Sequence, residues 1–235
     1  MKDAIEQLYA VFFGYPLLEH IDGCSHCVFD RDHALIHSVP LRALSDHDLG
    51  KYAAKAMTTW GDSRDFRHFL PRLMELHAQS TLDPTNDEIT FGKLRYADWH
   101  TWPTLEQDAI RAYSMSLWLE VLDARPVDED SFISDAYSYL CVFSCADEDL
   151  EPYLAVWADR DLTFRRDHFD AIVEWFGESI QRPGPLAGGF WNLKPSNQVR
   201  QWLMREETWQ AFGLEFLDVD QSSHRLRTGQ EGGMS

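Results

Sequence analysis

An all-α fold of consecutive antiparallel helix pairs is what the sequence predicts. Apolar residues recur at i, i+3, i+4 spacing almost throughout, and no stretch sustains the alternation of β-branched and polar residues that marks a strand. Gly and Pro punctuate the chain into segments of about three turns with short connectors, which gives about eight or nine helices, either as a compact bundle or as a HEAT-like array. No fixed period in the sequence chooses between the two.

The first helix carries Ala4, Ile5, Leu8, Tyr9, Phe12 and Phe13 on one stripe, and Gly14-Tyr15-Pro16 ends it. Ser45, with Asp48 three positions on, has the form of a capping box. It opens a helix through Leu49, Tyr52, Ala53 and Ala56 toward Trp60. Gly61-Asp62-Ser63 breaks the chain, and Ser63 is the expected cap of DFRHFLPRLMELHA. Pro71 inside that segment predicts a kink or short break at Leu70.

A short helix is expected over 88–96. Pro103 then introduces a long one over 104–123, with Leu105, Ala109, Ile110, Tyr113, Leu117, Trp118, Val121 and Leu122 at helical spacing. Three more follow at 131–144, 147–158 and 163–177, each with one apolar face. The Gly- and Pro-rich run over 182–196 reads as loop. A last helix starts near Ser196 and carries Val199, Trp202, Leu203, Trp209 and Phe212. With 44% hydrophobic residues in 235, the chain can bury a sizeable core. The expected organisation is a single helical domain over 1–220 and a flexible polar tail over 221–235.

No apolar run reaches membrane-spanning length, and the N-terminal run Leu8 to Phe13 is too short for a signal segment, so a cytoplasmic protein is expected. In that compartment the four cysteines read as thiols or metal ligands rather than disulfides.

The 39 acidic and 21 basic residues give a formal charge of -18. With no cluster of Lys and Arg, direct nucleic-acid contact is excluded, and so is attraction to an anionic membrane. Two readings of the charge remain, solubility and a surface matched to a basic partner. From 128 to 151 there are eight acids, Asp128, Glu129, Asp130, Asp135, Asp147, Glu148, Asp149 and Glu151, with no Lys or Arg. Their positions before or at helix starts suit the helix dipole, which accounts for several of them but not for the missing bases.

The segment HIDGCSHCVF places Cys24 and Cys27 in a Cys-x2-Cys spacing. His20 and His33 nearby complete a four-donor count for zinc, in an unusually compact spacing. Cys141 and Cys145, four apart on a predicted helix, are a second pair that either joins the first or lies in the core. A thioredoxin-like redox pair would sit at a helix start beside a βαβ unit, and the strands are missing. A plain turn built on Asp22-Gly23 is the remaining reading.

Asp30, Asp32, His33, His37, Asp46, His47 and Asp48 are further candidate ligands for a catalytic metal, or else caps and solvated turns. Trp60, Trp99 and Trp102 would line a pocket or fill the core. The common nucleotide, hydrolase and zinc-peptidase signatures are absent, which weakens an enzyme reading.

The run TTWGDSRDFRHFLPRLMELHA, with HIDGCSHCVF before it and GKLRYADWHTWP after it, resembles a set of uncharacterised bacterial proteins. The resemblance covers roughly the first half of the chain. It implies a bacterial cytoplasmic protein and brings no activity.

The function expected from these features is a non-enzymatic acidic protein that holds a basic protein partner, for example an immunity protein that blocks a toxin. The alternatives are a metal-dependent enzyme or zinc-stabilised protein with its site around Cys24 to Asp48, and a nucleic-acid mimic that occupies a DNA-binding protein.

Overall fold

A computed structural model describes residues 1–79, 84–126, 136–146, 148–186 and 189–215, excepting the side chains of 84–86 and 175–181. Among the described residues there are eleven α-helices and no sheet, so the protein is all-α. The chain divides into two compact units, Met1–Leu117 and Trp118–Ser235. No helix is long and apolar enough to cross a membrane among the described residues. The expected tail over 221–235 lies outside them.

In the first unit α1 (Lys2–Phe12) packs on α4 (Ser63–Ala78) through Ala4, Leu8 and Phe12. The stripe predicted to reach Phe13 stops one residue short. Phe13 follows the last helical residue and stands 87% exposed. Next comes α2 (Asp30–Ile36), which was not anticipated: seven residues are too few to show a period. Its start is fixed by Asp32, whose carboxylate accepts the Phe29 N–H at 2.8 Å.

The helix α3 (Asp46–Lys55) begins on the expected box, with Ser45 N–H donating to Asp48 Oδ2 at 2.8 Å and Asp48 N–H to Ser45 Oγ at 3.3 Å. It ends before Trp60, because Ala56 turns extended and Met57 takes a positive φ of 59°. Trp60 then bridges back to Ala56 and across to Gly23.

The cap of α4 is Asp62 rather than Ser63. Its Oδ1 accepts the N–H groups of Arg64 and Asp65 at 2.7 and 3.1 Å, and Asp65 returns a bond to the Asp62 N–H. The predicted interruption at Pro71 is absent, and α4 runs unbroken for 16 residues. A proline in a helix interior costs about 3 kcal/mol. Complete burial of Phe66, Phe69, Leu70, Leu73 and Met74 on the same helix offsets it.

Unit one is completed by α5 (Pro84–Tyr96), by a 3-10 turn at Trp99–Thr101, and by the first turns of α6 (Thr104–Asp123). α3 packs on α2, α4 and α5. The buried Lys93 amine of α5 donates to the Ala56 carbonyl at 2.8 Å, a cation on the C-terminal end of α3. Trp60, Trp99 and Trp102 are all core. Leu105, assigned to the apolar stripe of α6, is instead 73% exposed in its first turn.

Gly61, between α3 and α4, has φ +68°, and a Cβ there would stand 2.7 Å from Asp65 Oδ2 and 3.0 Å from Ile21 Cγ2. Gly61→Ala is therefore expected to destabilise the chain by about 2 kcal/mol, read as a lowered urea midpoint.

The second unit takes the rest of α6, then α7 (Ala136–Cys145), α8 (Glu151–Asp159), α9 (Arg165–Gln181), α10 (Leu193–Leu203) and α11 (Glu206–Ala211). The segment 131–135, expected to start α7, lies outside the described residues. α7 packs on α9, while α8, α10 and α11 pack together. The predicted last helix is two, with the break at Met204 and Arg205. There the Thr208 hydroxyl and the Trp209 indole donate back to the Trp202 and Leu203 carbonyls, at 2.6 and 2.8 Å, and close the end of α10.

The core of this unit is aromatic. Trp157 stacks on Trp202 with centroids 5.1 Å apart and meets Trp118, Phe169 and Phe212 edge-on.

Candidate functional site

Two features survive as sites once capping and packing are accounted for. One is the Cys24–Cys27 turn of the first unit. Its entry is tied by Cys24 N–H to the Thr59 carbonyl at 2.8 Å and by Gly61 N–H to the Asp22 carbonyl at 2.7 Å. Gly23 is needed in this close approach, since a Cβ would lie 3.2 Å from Val28 Cβ. The turn itself closes with Cys27 and Val28 N–H on the Cys24 carbonyl, at 2.8 and 2.9 Å.

Both thiols are free; Cys24 is exposed and Cys27 half-buried. The Cys24 sulfur is met by the backbone N–H of His26, the Cys27 thiol and the Cys27 N–H, with Lys55 adding positive potential. Together these hold it below the ordinary thiol pKa. Beside the turn lies an open depression of about 480 Å³ lined by Ser25, Val28, Phe29, Asp30 and Arg31.

His20 and His33, the other two expected zinc donors, neighbour each other. Their rings stack at 5.9 Å, His33 leans edge-on against Trp60, and His20 Nε2 lies 3.5 Å from Asp22. Among the described residues no group of three or more His, Cys, Asp or Glu side chains is disposed to hold a metal ion. Of the other candidate ligands of this region, Asp30 is exposed and Asp46 half-buried in the first turns of α2 and α3, His47 lies exposed 3.7 Å from Asp48, and three are engaged in the fold. Asp32 caps α2 and pairs with Lys51, Asp48 caps α3, and His37 bonds the His33 and Leu18 carbonyls at 2.7 and 2.9 Å. In the second unit Cys141 and Cys145 are buried, and the Cys145 thiol donates to the Phe190 carbonyl at 3.5 Å.

The other feature is the acidic surface of the second unit. Of the expected partner-binding acids, Asp128, Glu129, Asp130 and Asp147 lie outside the described residues, as does Asp135. The remaining three take part in the fold. Glu148 is buried, Asp149 accepts the Glu151 N–H and a bond from Gln198, and Glu151 lies 3.5 Å from Arg205.

A different set is free: Asp159, Asp161, Asp167, Glu174 and Glu207 are exposed with no ion pair among the described residues. Asp167, Asp170 and Glu174 fall at i, i+3, i+7 on α9, a spacing visible in the sequence but overlooked beside the denser run at 128–151. Partial burial raises the Asp170 carboxyl, Arg166 opposing and Asp167 adding to the shift.

Of the bases on the same helix, Arg165 turns inward, while the exposed Arg166 also pairs with Asp170 at 3.5 Å. Arg165 donates to the Ala158 carbonyl and the Ala211 carbonyl, both at 2.6 Å, and Arg166 to the Phe212 carbonyl at 3.0 Å. They serve helix C-termini, where cations are stabilised. A groove of about 390 Å³ runs between α8, α10 and α11, floored by Trp202 and rimmed by Glu151, Arg205 and Glu207.

Comparison with protein-family models, curated proteins and solved structures finds no match for this chain.

One further polar pair has the form of a catalytic dyad. His77 Nδ1 meets Asp87, and His77 Nε2 has no hydrogen-bond partner among the described residues. At 4% exposure for His77 and 6% for Asp87, the imidazole is enclosed in the core, and burial pushes it down to about 3. A base that no substrate reaches is a structural group.

Proposed function

We propose that the chain is a non-enzymatic interaction protein whose second unit holds a basic protein partner on exposed carboxylates. One observation carries the reading: five exposed carboxylates of this unit, Asp159, Asp161, Asp167, Glu174 and Glu207, have no ion pair among the described residues, while Arg165 is directed onto helix C-terminal carbonyls. The imbalance is concentrated there, with 22 acids and 10 bases from Trp118 onward, against 17 and 11 before it. Capping explains a carboxylate at a helix start. That covers Asp167, in the first turn of α9, and Asp170 is paired with Arg166, but neither account reaches Glu174 farther along the same exposed face.

The groove over Trp202 adds a specific recognition element. An Arg or Lys side chain of the partner would enter between Glu151 and Glu207, whose carboxylates line the groove. A basic toxin held by its immunity protein is a partner of this chemistry. A DNA-binding protein is another, since the carboxylates of α9 recur at about 4.5 and 6 Å of helix rise, near the scale of phosphates on a strand.

The test is crosslinking capture by the full chain, compared with Asp167→Lys/Asp170→Lys/Glu174→Lys. Asp167 and Glu174 are exposed and without an ion pair among the described residues, and Asp170 gives up only its surface pair with Arg166, so far-UV circular dichroism is expected to be unchanged. A partner with a basic surface is expected to be captured by the native chain and lost from the triple variant. Equal capture by both would remove this surface from the account.

A further inference from the structure

We propose that Cys24 and Cys27 form a thiol–disulfide exchange site that reacts with a low-molecular-weight disulfide, independently of the acidic surface. Four observations on the turn point there. The bond from Cys27 N–H to the Cys24 carbonyl is that of a four-residue turn, which holds the two Cα atoms within about 7 Å, the span a disulfide bridges. Both cysteines are free thiols, and the Cys27 thiol is among the groups that hold the Cys24 thiol below its ordinary pKa.

Cys24 is open to solvent and its sulfur is met by two backbone N–H groups, which favour the thiolate that attacks. The depression beside the turn is lined by Ser25 and Val28, chain neighbours of the two cysteines, and by the half-exposed ring of Phe29 and by Arg31.

A plain turn would account for the backbone bonds. It would not call for a free cysteine at each end of the bond that closes it, one of them open to solvent. A zinc site needs two further donors, and no third His, Cys, Asp or Glu joins the pair among the described residues.

The chemistry balances in two exchanges. The Cys24 thiolate attacks one sulfur of the small disulfide, forming a mixed disulfide and expelling one thiolate, which takes up the proton lost by Cys24. Cys27 then loses its proton and attacks the Cys24 sulfur, forming the Cys24–Cys27 bond and expelling the second thiolate, which takes up that proton. The protein dithiol is oxidised by two electrons and the small disulfide is reduced to two thiols.

Glutathione and its disulfide serve as the probe, on the full chain, with acid quenching, alkylation and peptide mass spectrometry. The expected result is a disulfide between Cys24 and Cys27 at a tenfold excess of glutathione disulfide. In Cys27→Ser, one glutathione is expected to be trapped on Cys24, and Cys24→Ser should carry at least tenfold less adduct on Cys27. In the native chain Cys24 should be alkylated at pH 7 faster than in urea, by roughly threefold per unit of lowered pKa, because the gain in thiolate outweighs the loss of nucleophilicity.

Both serine variants change a surface turn, and unchanged circular dichroism would show that they fold. Two thiols persisting in the oxidising mixture, equal adducts in the two variants, or the same Cys24 alkylation rate in urea would each overturn the proposal. So would stoichiometric zinc that shields both cysteines from alkylation.

Discussion

Trp157→Ala is expected to destabilise the second unit by about 4 kcal/mol, the largest effect of any single truncation considered for this protein. Trp157 is fully buried and its ring touches Trp118, Phe169, Trp202 and Phe212, so truncation opens a cavity among aromatic rings that interlock at fixed angles. Phe169 and Phe212, stacked with centroids 4.2 Å apart, cannot both move into the space without giving up that stacking.

The indole Nε1 also donates to the Arg165 carbonyl at 2.8 Å, and its loss leaves that carbonyl without its indole donor. Trp157→Phe keeps most of the volume and loses that donor, for an expected cost of about half as much. Guanidinium unfolding followed by near-ultraviolet circular dichroism measures both. Because the chain has two compact units, the free energy is taken from the transition that the substitution moves. A cost below about 1 kcal/mol for Trp157→Ala would contradict the described packing.

The second large effect is in the first unit. Arg67→Met is expected to cost about 3 kcal/mol, because it leaves the carboxylate of Glu106 buried without its counter-charge. Glu106 is 6% exposed. Its Oε1 accepts the Tyr15 hydroxyl at 2.6 Å, Arg67 Nη1 donates to the same hydroxyl oxygen at 2.7 Å, and Arg67 Nε lies 3.6 Å from Glu106 Oε2. The guanidinium also lies over Trp102, 4.1 Å from the ring centroid.

Methionine preserves much of the apolar stem, so the loss reports charge more than volume. The double variant Arg67→Met/Glu106→Gln removes the stranded charge and is expected to be more stable than Arg67→Met alone. Denaturant midpoints of the four proteins give the cycle. Strict additivity would show that Arg67 and Glu106 do not act as a pair.

Periodicity and punctuation were enough to locate the long helices. The residues Thr104–Asp123 were bounded correctly because Pro103 fixes the start, and Ser45 with Asp48 fixed another start through a reciprocal pair of bonds. What escaped was short or depended on distant contacts. Asp30–Ile36 is two turns long and shows no period. The end of α3 before Trp60 depends on left-handed Met57 and on Gly23 approaching from elsewhere in the sequence.

The sites were legible as composition more than as geometry. Cys24 and Cys27 were visible as a pair, but the bond from Cys27 N–H to the Cys24 carbonyl and the exposure of Cys24 belong to the turn. The density of acids at 128–151 drew attention from the more widely spaced Asp167, Asp170 and Glu174. The bonds of Arg165 to the Ala158 and Ala211 carbonyls, and of Arg166 to the Phe212 carbonyl and Asp170, have no mark in the sequence.

If exposed carboxylates of the second unit capture a basic partner, opposite charge must speed their encounter. The measurement is the association rate constant of the full chain with the purified captured partner, as a function of salt. Steered association is expected to slow by about tenfold or more between roughly 50 and 500 mM salt, as the screening length shrinks, with the triple lysine variant already slow at low salt. A rate constant that is flat across that range, and equal in the variant, would contradict the acidic surface as the means of recognition.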